Sequence, residues 1–451
     1  MTRIGFADHL FLRMHHGIGK PVFNQFLWLL DTAVSGDELE ELRTNLSEGL
    51  LARRVESPTL PTARHRWVTS AVSLPLELAS SPIPSDAVLC WAEQRVVEDL
   101  DPEAGVGWQL AAAPMSGGGM VVSLACSHMV ADGAAMVEAI RRANSGNRGV
   151  DSRDLGEGPS LFGGIIEDLA DTVGEVKPIM KWVADRVVAT ATSAFSSSKD
   201  PAPGSGRIDP PRRQDADPVV GPWRPPYVVV ECSATEWKAA AAEWGGTSNS
   251  LFIAVMTAIS EALGRAMPGD VLRWSLPYSD RDPLDIDSNS TKIIPVRVPV
   301  AERQDQDLTR IRKASKAAFT DFAARQKAGV SSQAIPLSLV QMLPDAVVAR
   351  LPMPSDGAEG LCSNLGELPE DFITIGGVRA RSVAARATYA GADAEFARTL
   401  GGGSTAWATE TDEAITITVH GMDPDRMVTD NAVRDVVADV LLRWEITHRF
   451  W

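Results

Sequence analysis

The chain has 451 residues, of which 44% are hydrophobic and 23% charged, an ordinary globular usage too long for one small core. Its formal net charge of −16 argues against a nucleic-acid partner and against adsorption to an anionic membrane by bulk charge, and leaves room for a local basic patch. The four cysteines, Cys90, Cys126, Cys232 and Cys362, form no CxxC or His/Cys cluster, so no metal site is expected. No secretory leader and no run of about eighteen uncharged apolar residues is seen, so a cytoplasmic chain without a transmembrane segment is expected.

In chain order, Val22 to Leu30 reads as a buried strand. Ser35-Gly36-Asp37-Glu38 fits a capping box, opening a helix with Leu39, Leu42, Leu46 and Leu50 on one stripe. Arg66 to Val72 reads as a strand and Ala87 to Leu100 as a helix. Trp108 to Ala113 and Met120 to Cys126 read as paired strands around the glycine turn Gly117 to Gly119, and Ala134 to Arg142 as a helix. Leu161 to Phe195 has helical spacing, with a break expected at Pro178. Two readings of that helix stay open, packing on the body or contact with a membrane surface or partner. Its acids Glu167, Asp168, Asp171 and Glu175 count against the membrane. Ser196 to Pro226 reads as an exposed linker. Beyond it come strands at Tyr227 to Cys232, Leu272 to Tyr278, Lys292 to Val300 and Thr416 to His420. Helices fall at Ser250 to Met267, Asp307 to Gln326 and Asp430 to His448. The fold class is α/β, in three stretches: 1–145, a helical crossover and linker over 146–226, and 227–451.

Between the strand ending at Cys126 and the helix at Ala134 stands His128-Met129-Val130-Ala131-Asp132-Gly133. A histidine at a strand end is well poised for proton transfer near neutral pH. Cys126, two residues earlier, falls on the same face of a continuous strand, so a Cys-His nucleophile pair is a competing reading.

The HxxxDG spacing resembles the HHxxxDG motif of an acyltransferase superfamily. Its members include condensation domains, polyketide-associated acyltransferases, bacterial wax ester synthases and, in near form, chloramphenicol acetyltransferase. Tyr278-Ser279-Asp280-Arg281, Asp287-Ser288-Asn289-Ser290 and Cys362-Ser363-Asn364-Leu365-Gly366 resemble later segments of that superfamily. Phe6 to Met14, with Asp8 and Phe11, is similar to the opening of wax ester synthases. The resemblance implies two chloramphenicol-acetyltransferase-like subdomains with a substrate tunnel between them. It implies direct acyl transfer from acyl-coenzyme A, or an acylated carrier protein, to an alcohol or amine. No permanently bound cofactor is implied. His128 would be the general base, and Asp132 would pair with Arg281 to brace the loop. Gly133 would permit the turn by a positive φ or close backbone approach. Ser127, Ser363 and Asn364 would line the substrate site, Asn364 orienting the acceptor or stabilising the oxyanion. Ser127 stands where the motif has its first histidine, which keeps a noncatalytic binding protein as an alternative. A basic run, Arg310, Arg312, Lys313 and Lys316, reads either as a docking surface for an acidic carrier protein or, equally, as a solvated helix face. Peripheral membrane contact also stays open.

Overall fold

The structure, a computed structural model, describes residues 2–96, 100–146, 155–175 except 157 and 161, 223–301 except 280, 283, 284 and 286, 307–328 and 357–451. Pro178 and most of the expected linker lie outside the described residues.

Strand β1 (Val22–Leu30) is buried at all nine positions, as its apolar run predicts. It pairs antiparallel with β6 (Met120–Ser127), which is also buried throughout. Strand β5 (Trp108–Pro114) pairs with β6 through the glycine turn. Gly119 is required there: its φ is +80° and a Cβ would sit 2.2 Å from the Leu30 carbonyl oxygen. Helix α2 (Gly36–Glu48) opens with the expected capping box, Ser35 Oγ accepting from the Glu38 amide and the Glu38 carboxylate from the Ser35 amide. Helix α4 (Gly133–Asn144) lies beside it, and Leu39, Leu42, Leu46, Met136 and Ile140 join Trp28 and Phe26 in one core. Each such side chain stabilises the fold by about 1.5–3 kcal/mol when fully buried.

The first sheet has the order β13-β1-β6-β5-β4, where β4 is Glu77–Leu78 and β13 is Ser382–Tyr389. Strand β13 thus comes from the second half of the chain, and eight register pairs join it to β1. The second sheet has the order β16-β7-β15-β14-β10-β8-β9. Its strands are β7 (Tyr227–Ser233), β8 (Val271–Tyr278), β9 (Lys292–Pro299), β10 (Gly360–Glu367), β14 (Ser404–Glu410), β15 (Ala414–Gly421) and β16 (His448–Phe450). Helix α7 (Ser248–Ala262) is buried over most of its circumference, which fits its apolar composition. The long helix expected over Ala87 to Leu100 is shorter: a 3-10 turn, Ser85–Ala87, leads into α3 (Val88–Glu93). Ala87 offers no side-chain cap for it, and the β-branched Val96 beyond lowers helix propensity. Among the described residues no helix is long and apolar enough to cross a membrane.

Candidate active site

The loop after β8 reaches across from the second half and closes over the turn between β6 and α4. Asp132 is its anchor. As the N-cap of α4 it accepts from the Ala135 amide at 2.8 Å. Its other oxygen accepts from the Ser290 amide at 2.9 Å, the Thr291 amide at 3.1 Å and the Thr291 hydroxyl at 2.8 Å. Arg281 reaches both carboxylate oxygens, at 3.3 and 3.4 Å, and spends its other arm on the Asp287 carbonyl. Burial pushes the Asp132 carboxyl up, but the Arg281 guanidinium and these donors outweigh it and hold the group below the usual carboxylate range. The expected Asp132–Arg281 contact is therefore present, within a larger web that ties the two halves together.

The same loop sets the state of His128. Asn289 Nδ2 donates to Asp8 Oδ1 at 2.9 Å, the His128 carbonyl at 2.9 Å and the Met129 carbonyl at 3.3 Å. All three are oxygens that accept, so the amide orientation is fixed and its oxygen faces His128 Nδ1 at 3.1 Å. Nδ1 then carries the proton, and Nε2 is left with its lone pair. Asp8 is itself held by the Ser288 hydroxyl at 2.6 Å and by the Gly5 amide at 2.8 Å. Phe11, from helix α1 (Phe6–His16), stacks on the imidazole with centroids 3.9 Å apart. Burial pushes the His128 pKa down, partly countered by its own carbonyl, Asp132 and Asn289. The ring is thus held neutral, in the tautomer a general base needs.

The other expected residues divide. Asn364, on β10, donates to Asn249 Oδ1 at 3.1 Å at the head of α7, and its own oxygen accepts from the Gly366 amide. Ser363 stands beside it, in register with Trp407 of β14. A Cβ on Gly133 would lie 3.8 Å from Leu365, so β10 runs close to the start of α4. That 3.8 Å is ordinary contact and the φ of Gly133 is not positive, so neither reason expected for this glycine applies. Ser127 is buried as the last residue of β6, paired with Phe23 of β1; by strand alternation it points away from His128's side. Cys126 is fully buried, and burial pushes its thiol far up, so a nucleophilic thiolate is disfavoured.

Asp8, Phe11, Asn289 and Asn249 were not assigned roles by sequence. The segments holding Asp8, Phe11 and Asn289 showed a resemblance, but what joins Asn289 to His128 and Asp8 is contact across 161 and 281 positions, which no local pattern carries. One group the cysteine and histidine spacing did not suggest is His15, His16 and Asp101, whose ligand atoms lie within 4.8 Å of one another. Two of its groups are engaged, His16 with Glu103 and Asp101 as the cap of the Glu103 and Ala104 amides, while His15 Nδ1 is buried without a hydrogen-bond partner among the described residues.

No family model and no curated protein matches the chain. Solved structures do. The wax ester synthase/diacylglycerol acyltransferase from Marinobacter aquaeolei VT8 superposes with a TM-score of 0.55 at 14% identity, over 98% of this chain and 100% of that one. The fold is that of wax ester synthases and condensation domains. The first condensation domain of the calcium-dependent antibiotic synthetase, with a substrate analogue, gives a TM-score of 0.59 at 14% identity, over 98% and 96% of the two chains. The starter condensation domain of rhizomide synthetase, a mutant in complex with C8-CoA and Leu-SNAC, gives 0.54 at 11% identity, over 98% and 94%. At these identities the likeness concerns the condensation-type fold, in which His128 stands at the junction between the two halves.

Proposed function

We propose that the protein is an acyltransferase that moves an acyl group from an acyl-coenzyme A thioester directly to an alcohol, forming an ester. The observation that carries this reading is the lone pair left on His128 Nε2 by the Asn289–Asp8 chain. In the reaction, Nε2 takes the proton of the acceptor hydroxyl as its oxygen attacks the thioester carbonyl. The carbon–sulfur bond then breaks, and the departing thiolate takes the proton from the imidazolium. The thioester is already activated, so no covalent acyl-enzyme is required. Asn364 is a candidate to orient the acceptor or donate to the developing oxyanion, Ser363 a candidate substrate contact beside it. The four unpaired cysteines support a reducing cytoplasm as the setting.

Two other readings have an observation each. The exposed basic side chains Arg310, Arg312, Lys313 and Lys316 of α8 (Thr309–Lys327) favour a carrier-protein donor, with an ester or amide product. Ser127 in place of the first motif histidine favours a noncatalytic binding protein. Thiol release is the test, with acyl-coenzyme A or an acylated carrier protein as donor and a panel of alcohols and amines. Ester formation lost in His128→Ala is expected. Release only from the carrier, or only with amines, selects the second reading. Near-wild-type turnover by folded His128→Ala overturns the mechanism, and ligand binding without turnover selects the third.

A further inference from the structure

Helix α5 (residues 162–175) is mounted with its polar side inward. Asp168 is completely buried: it accepts from Arg3 at 2.7 Å, Arg66 at 3.3 Å, and the Thr59 and Leu60 amides at 2.6 and 3.0 Å. Asp171 accepts from the Arg64 side chain at 2.6 Å and the Arg64 amide at 2.9 Å. Glu175 pairs with Arg64 at 3.2 Å and Glu167 with Arg66 at 3.5 Å. Asp168, Asp171 and Glu175, three of the acids that counted against a membrane contact in the sequence, are therefore turned to the body and paired there, with Glu167 at the half-exposed edge.

At 100° per residue, Phe162, Ile166, Leu169 and Val173 fall on one arc of about 60°, opposite Asp168 and Asp171. They are 78%, 60%, 52% and 58% exposed. Buried ion pairs of this kind contribute little net stability but fix orientation. Here they fix the apolar stripe outward, and such stripes mark contact surfaces.

We propose that α5 is a lipid-contact element, lying in the plane of an uncharged lipid layer with these four side chains inserted. A second copy of the chain fits less well. One stripe of four side chains is far short of the roughly 800 Å² per partner of a stable interface. A lipid surface has no such threshold, since each apolar side chain partitions by its own area. The layer is uncharged or zwitterionic, because residues 162–175 contain no Lys or Arg and the chain carries −16. This inference does not rest on the acyl-transfer reading.

The test is cosedimentation of the full chain with phosphatidylcholine vesicles, and with vesicles in which roughly a third of the lipid is phosphatidylglycerol. Saturable partition into phosphatidylcholine is expected, weaker on the anionic vesicles at low salt. Ile166→Gln/Leu169→Gln is expected to lower the partition coefficient about a hundredfold, roughly tenfold per side chain, with an unchanged melting temperature. No partition by the wild type, or equal partition by the double variant, overturns the proposal. So does tighter binding to anionic vesicles. A double variant that melts several degrees lower shows that this chain covers its own stripe. A wild-type dimer that becomes monomeric in the variant shows a second copy there. Either result also overturns it.

Discussion

Asn289→Ala removes the acceptor that faces His128 Nδ1 at 3.1 Å, and with it three donations from the amide nitrogen. The Nδ1–H bond is neutral in the resting ring and charge-assisted once Nε2 has taken a proton. Neutral bonds contribute about 0.5–1.5 kcal/mol net and charged ones about 1.5–3. The difference, about 1–2 kcal/mol, is stabilisation present only as the imidazolium forms, so kcat is expected to fall about 5- to 30-fold. Asn289 is among the influences that raise the His128 pKa against burial. Without it the base weakens, and the acidic limb of the kcat/KM profile is expected to move to lower pH. The Asp8 oxygen and two carbonyls lose a donor as well, which costs about 1–3 kcal/mol of stability. Steady-state thiol release across pH, with a denaturant melt beside it, reads both effects. A folded Asn289→Ala protein whose acidic limb and kcat match the wild type refutes the tautomer argument.

His128→Ala is expected to lower turnover by about a hundredfold to ten-thousandfold with an unchanged melt, read by the same assay. Asp132→Ala and Arg281→Ala are expected to destabilise by about 3–5 kcal/mol each, with coupling between them in a double-mutant denaturation cycle; strictly additive losses contradict the pairing. Because the Asp132 carboxyl is held below its unfolded value of about 3.9, its contribution is full above about pH 4 and drains as pH falls through the folded value. Acid melts of Asp132→Asn should therefore lack that part of the pH dependence. Cys126→Ala is expected to keep most activity, and intact-protein mass after incubation with donor alone to show no acyl adduct; an adduct on Cys126 would make the thiol the nucleophile.

Where neighbours in sequence are neighbours in space, the elements were legible. The Ser35–Glu38 cap, the β5–β6 hairpin and α4 each announce themselves within one short stretch of chain. The HxxxDG turn was legible for the same reason. What decides its chemistry was not: Asp8, Phe11 and Asn289 come from the first helix and from a loop in the other half, and they meet only after folding. For α5 the period was legible but not which side faces in, because Arg3, Arg64 and Arg66 outbid the apolar stripe for the body. Gly133 shows the opposite failure, a residue whose expected backbone reason the geometry does not require.

The loan of β13 to the first sheet reaches beyond topology. Its eight-residue ladder on β1, and the bond from the Thr409 hydroxyl to its Val383 carbonyl, stitch one continuous stretch of backbone into both layers. Neither half can come apart without stripping a strand from the other, so heat or denaturant meets one cooperative unit, not two. A gene cut near residue 226 would yield an N-terminal piece whose β1 edge lies bare, an open template for aggregation. The same ladder, with the web around Asp132 and Asn289, tethers any rocking of the halves about His128.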